Sequence, residues 1–143
     1  MLPVSKSALL IGPVSKTNGA TAEGYVDCKG FKFASIVLAG SASNTASNNC
    51  SVLKVTEGDT TTASTAITAL TGDGEGGFTI ANASTVASVV AKFNIDLRGR
   101  KRYLRLTASP TTTQILSATC ELHKAEIAPD SAEEAGADNL VEA

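Results

Sequence analysis

The chain has 143 residues, with 12 basic and 14 acidic side chains, a formal net charge of −2, one His and no Trp. That length suits a single domain, no apolar run approaches the roughly 20 residues that span a bilayer, and a pI near 5.3 argues against a general nucleic-acid binder. With four Phe and two Tyr, the core has to be built largely from small aliphatic residues. These bury little area each, at about 25 cal/mol per Å², so a thin core supported by subunit contacts is expected.

The predicted elements are all strands. The N-terminal segment carries one Lys and the short apolar run Ala8-Leu9-Leu10-Ile11, which does not read as a signal peptide. Residues 1–8 suit an arm that orders on a partner. Strands are predicted over 8–11, 24–28, 32–39, 50–56, 65–70, 78–81, 88–97, 102–108 and 113–126, from Val, Ile, Thr and Phe enrichment and period-2 alternation. Clusters of Gly, Asn, Ser, Thr and Asp separate them, at 17–21, 40–49, 57–62, 71–77 and 109–112. Gly takes positive φ there, and Asn, Asp and Ser satisfy turn amides with their side chains. No helix is predicted. Short strands at regular spacing point to an all-β, single-domain β-sandwich of jelly-roll type over residues 1–129.

From Pro129 onward the pattern stops. Residues 130–143 hold five acids and no base, whereas residues 1–129 hold 12 basic and 9 acidic side chains, a net +3. An acidic tail following a mildly basic body suits a segment that is flexible or ordered by a partner. Ser131 and Glu134 have capping-box spacing, but the stretch is too short to hold a helix alone.

The candidate chemistry is sparse. Cys28, Cys50 and Cys120 are an odd number without zinc-site spacing; they read as reduced, buried thiols, with one disulfide as the alternative in an oxidising setting. The lone His123 falls in a strand, outward with Ser117, Thr119 and Glu121, and no Gly-x-Ser-x-Gly elbow accompanies it. Gly72-Asp73-Gly74-Glu75-Gly76-Gly77 has the glycine content of a phosphate loop, but its two acids would repel a phosphate. It also lacks calcium-loop spacing. Asn49-Cys50-Ser51 and Asn82-Ala83-Ser84 match the glycosylation sequon. Tyr25 and Tyr103 are the candidate aromatic platforms for a sugar. No catalytic residue, metal ligand or cofactor site is assigned.

The most distinctive stretch is Phe93-Asn94-Ile95-Asp96-Leu97-Arg98-Gly99-Arg100-Lys101-Arg102-Tyr103-Leu104-Arg105-Leu106. It reads as a pair of strands joined by a tight basic turn, with Phe93, Ile95 and Leu97 inward and Asn94, Asp96 and Arg98 outward. The turn carries four of the twelve cations within five positions. Arginine forks suit carboxylates and phosphates, so Arg98, Arg100, Lys101, Arg102 and Arg105 are candidate contacts to another subunit, to an acidic protein surface or to nucleic acid. A plain solvated turn that discourages edge pairing is the competing reading.

This stretch resembles a motif of small structural proteins from the virion gene clusters of tailed bacteriophages, the head decoration or capsid cement proteins. The order around it is similar too: an N-terminal arm, Leu53-Lys54-Val55-Thr56-Glu57-Gly58-Asp59, then Phe78-Thr79-Ile80, the basic strand pair, Ser109-Pro110, and a last strand ending at Pro129 before the acidic tail. The resemblance implies a jelly roll or related sandwich, commonly a homotrimer, seated on the outer surface of a capsid assembled in the host cytoplasm. Its implied partners are the major capsid protein and other copies of itself. Catalysis, nucleic acid, membrane and small-molecule substrates are not expected. The alternative is a β-sandwich adhesin or fibre-type module that binds a glycan or host receptor.

Overall fold

The computed structural model describes residues 5–43, 47–83, 85–124 and 140–143. Among the described residues there are nine strands: β1 (Ser5–Lys16), β2 (Ala22–Asp27), β3 (Phe33–Gly40), β4 (Cys50–Gly58), β5 (Thr65–Thr71), β6 (Ser88–Asp96), β7 (Tyr103–Pro110), β8 (Gln114–His123) and β9 (Leu140–Glu142). They form two sheets, ordered β1-β8-β3-β6-β9 and β2-β7-β4-β5. The antiparallel pairs β1/β8, β2/β7, β3/β6 and β4/β5 nest inside one another, as if one long hairpin were rolled up. That order is the jelly roll.

Alternation drives the packing. In β8, Leu116, Ala118, Cys120 and Leu122 point inward, while Ile115, Ser117, Thr119, Glu121 and His123 point out. Phe93, Ile36, Leu38 and Ile95 from one sheet and Leu53, Val55, Leu104 and Leu106 from the other are essentially inaccessible to solvent. Ala34, Ala91, Ala108 and Cys50 fill the remaining buried space. All three cysteines are free and buried, and desolvation pushes each thiol up to about 12. They are therefore protonated and unreactive at neutral pH.

The strands flanking the basic turn do not pair with each other. β6 lies in the five-stranded sheet and β7 in the four-stranded one, so 97–102 is a corner that crosses the end of the sandwich. Gly99, at φ 79°, makes the bend, and the Arg100 amide donates to the Leu97 carbonyl at 3.1 Å. Asn94 is also buried, at 3% exposed. It was expected to face out, but β6 is an interior strand between β3 and β9.

Three further expectations change. The arm predicted over 1–8 is partly sheet: Ser5–Ala8 pair with His123–Cys120, and residues 1–4 lie outside the described residues. Residues 78–81 form no strand. The Asp73 carboxylate accepts from the Ile80 amide at 2.9 Å and from Asn48 Nδ2 at 3.0 Å, so this stretch closes the glycine loop through single bridges instead. Finally, the body does not end at 129. Leu140–Glu142 run parallel beside β6, Val141 is buried, and the Asp96 amide donates to the Ala143 carbonyl at 2.6 Å. The capping-box stretch around Ser131 lies outside the described residues.

Gly24 is where β1 crosses closest to β2. A Cβ there would sit 1.8 Å from the Leu10 carbonyl oxygen, a backbone atom that cannot swing aside. Gly24→Ala is therefore expected to lower stability by about 1–3 kcal/mol, the usual cost of overpacking. Urea unfolding of the two proteins checks this.

Candidate functional site

Among the described residues, five ion pairs organise the corner and the sheet beside it. Arg98 clasps Asp96 at 2.7 Å. Arg100 reaches Glu57 at 3.9 Å, and Lys101 reaches Asp59 at 3.4 Å while its amide donates to Glu57 Oε2 at 3.0 Å. Arg102 binds Asp27 through two bonds, Nε to Oδ1 at 3.0 Å and Nη2 to Oδ2 at 2.8 Å, and its guanidinium lies 5.1 Å from the centre of the Tyr103 ring. Arg105 pairs with Glu23 and donates to the Thr62 carbonyl at 2.9 Å. These are mostly exposed pairs and add little stability. Their effect is geometric, tying the corner to β2 and to the β4–β5 loop.

Every cation singled out in the sequence is thus matched to a carboxylate of its own chain. The structure brings Arg98, Arg100, Lys101 and Arg102 together at one end of the sandwich, while Arg105 lies further along the outer face of β7. Four more cations at that end are ones that sequence reasoning passed over: Lys6, Lys29, Lys32 and Lys124. All four are exposed, and none pairs with a carboxylate among the described residues. Lys6 stands opposite Leu122 in the β1/β8 register. The Lys32 amide donates to the His123 carbonyl at 3.0 Å, and Lys124 Nζ is 5.9 Å from the Phe31 ring centre. The start of β1, the β2–β3 turn and the end of β8 therefore converge on one basic surface. No run of sequence reveals it; only the strand order does.

Two carboxylates at this end titrate unusually. Arg102 holds Asp27 down to about 2, helped by the Lys29 amide. The Arg98 side chain and amide do the same for Asp96. Because both folded values lie below the unfolded value of 3.8, the stability they add is fully present above that value and is lost as the pH falls through about 2. Thermal melts from pH 7 to pH 2 are expected to show the drop below about pH 4. Asp27→Asn should melt lower than wild type at pH 7 and converge with it near pH 2.

The outer face of the four-stranded sheet carries a second feature. Tyr25 and Tyr103 meet edge to face, with centroids 6.2 Å apart. Beside Tyr25 a cleft of about 670 Å³ opens between Leu9 and the β4–β5 loop, with Glu23 and Arg105 in its lining. A smaller hollow of about 220 Å³ shares Glu23, Thr62 and Arg105 and continues toward Lys54 and Thr107.

On the other sheet, His123 packs against Phe33 at 5.9 Å, and the Ser7 hydroxyl donates to Glu121 rather than to the imidazole. No protein-family model matches the chain, and no curated protein is detectably similar to it.

Proposed function

We propose that this chain is a structural virion protein that decorates and cements the assembled capsid of a tailed bacteriophage through protein–protein contacts, without catalysis. Its partners are the major capsid protein and other copies of itself, as a homotrimer, on the outer surface of the shell. The observation that carries the reading is the group of exposed lysines, Lys6, Lys29, Lys32 and Lys124, gathered at one end of a jelly roll. A cement protein needs a stiff body and one face complementary to a repeating lattice. A basic face speeds encounter with an acidic surface and fixes orientation, and repetition turns modest contacts into tight attachment. The self-paired arginine corner acts here as scaffold: it holds the β2–β3 turn and the β4–β5 loop in place beside the lysines.

Light scattering on a sizing column tests the assembly, with a trimer expected. Sedimentation with purified shells tests attachment, which should weaken as salt screens the lysines. A monomer that stays in the supernatant with shells at low salt would overturn the proposal.

A further inference from the structure

We infer that the groove on the outer face of the four-stranded sheet is a binding site for a neutral oligosaccharide. The inference rests on that groove alone and is independent of the decoration reading.

The cleft is amphipathic in the way a sugar ring is. One wall is apolar and solvent-facing: Tyr25 is 53% exposed and Leu9 65%. Both side chains are therefore open to a ligand, although large apolar side chains are usually inside. Tyr25 packs edge to face with Tyr103 and offers an aromatic platform for the C–H face of a sugar. The other side is polar. Arg105 and Glu23 lie together in the lining, and Thr61 and Thr62 rim it from the β4–β5 loop. The Arg105 bonds to Glu23 and to the Thr62 carbonyl leave some of its five N–H donors unused. A guanidinium beside a carboxylate offers donors and acceptors side by side, the pattern that grips vicinal hydroxyls. Continuation of the cleft into the hollow toward Lys54 and Thr107 makes room for more than one sugar unit.

Other ligand classes fit less well. An anion meets Glu23, which already balances Arg105. An extended peptide would have to join the free edge of β2, where the Leu10 carbonyl of β1 already lies against Gly24. A purely apolar ligand would strip water from the Arg105–Glu23 pair without replacing its hydrogen bonds.

The experiment uses the full chain. A broad glycan array selects among neutral oligosaccharides, with maltotetraose, cellotetraose and N-acetylchitotetraose titrated in solution alongside, and backbone amide NMR locates the site. The expected result is saturable binding in the range of about 0.1–10 mM, with shifts centred on Gly24, Tyr25, Thr61 and Thr62. Tyr25→Ala should weaken it at least about tenfold, a loss of roughly 1.4 kcal/mol, while Tyr25→Phe retains it. Tyr25 is exposed, so matching amide spectra for the two variants will establish that both are folded. No binding on the array or in solution would overturn the inference, as would shifts away from the groove or binding unchanged by Tyr25→Ala. Neither outcome bears on trimer formation or shell attachment, so this site and the decoration reading fail separately.

Discussion

Phe93→Ala is expected to destabilise the protein by about 3–5 kcal/mol, the cost of deleting a buried aromatic side chain and leaving its cavity. Phe93 is fully buried in β6, between β3 and β9, and stacks edge to face on Phe78 with centroids 5.7 Å apart. It therefore joins the sheet to the loop that closes one side of the core. Against a typical total of about 5–15 kcal/mol, the loss is large enough to leave the variant partly unfolded near body temperature. The small residues around it, Ala34 and Ala91 among them, have no reach to fill the hole. Urea unfolding with an unchanged m-value measures it. A loss under about 1 kcal/mol would mean that the core does not depend on this ring.

The largest functional effect is expected from reversing Lys6, Lys29, Lys32 and Lys124 together. Lys6→Glu, Lys29→Glu, Lys32→Glu and Lys124→Glu should abolish attachment to shells while leaving the fold intact, because all four side chains are exposed and make no ion pair among the described residues. A matched control removes a salt bridge without changing net charge. Arg98→Gln with Asp96→Asn should leave attachment close to wild type, since that pair is already neutral in sum. Sedimentation with shells at graded salt reads both variants, and circular dichroism checks folding. If the arginine-corner variant detaches and the lysine variant does not, the partner reads the corner and the assignment of the lysines fails.

The difference between these two sets of cations shows how far the sequence could be read. Alternation in 93–97 correctly placed Phe93, Ile95 and Leu97 inside, because period 2 is a local property. The same alternation is silent about which sheet a strand joins. β6 takes its register from β3, with Phe33 opposite Asp96 and Ile36 opposite Phe93. β7 takes its register from β2 and β4. Long-range pairings of this kind turned an expected strand pair into a corner between sheets. The run of cations at 98–102 drew attention because it is contiguous, yet its partners Asp27, Glu57 and Asp59 come from distant positions. The lysines at 6, 29, 32 and 124 were invisible for the converse reason: they are scattered in sequence and gathered only by topology. Phe78-Thr79-Ile80 has strand composition, but the Asp73 carboxylate captures the Ile80 amide that a ladder would need. Val141, two residues from the end of the chain, lies in a stretch whose acids masked the apolar residue that joins the core.

The most direct test of the proposed decoration role is electron cryomicroscopy of tailed-phage shells incubated with this protein. The account predicts a jelly-roll density in symmetric trimers on the outer surface of the shell, with the end bearing Lys6, Lys29, Lys32 and Lys124 turned toward acidic residues of the capsid. Particles whose outer surface lacks this protein would contradict it, as would a protein seated with that end facing solvent.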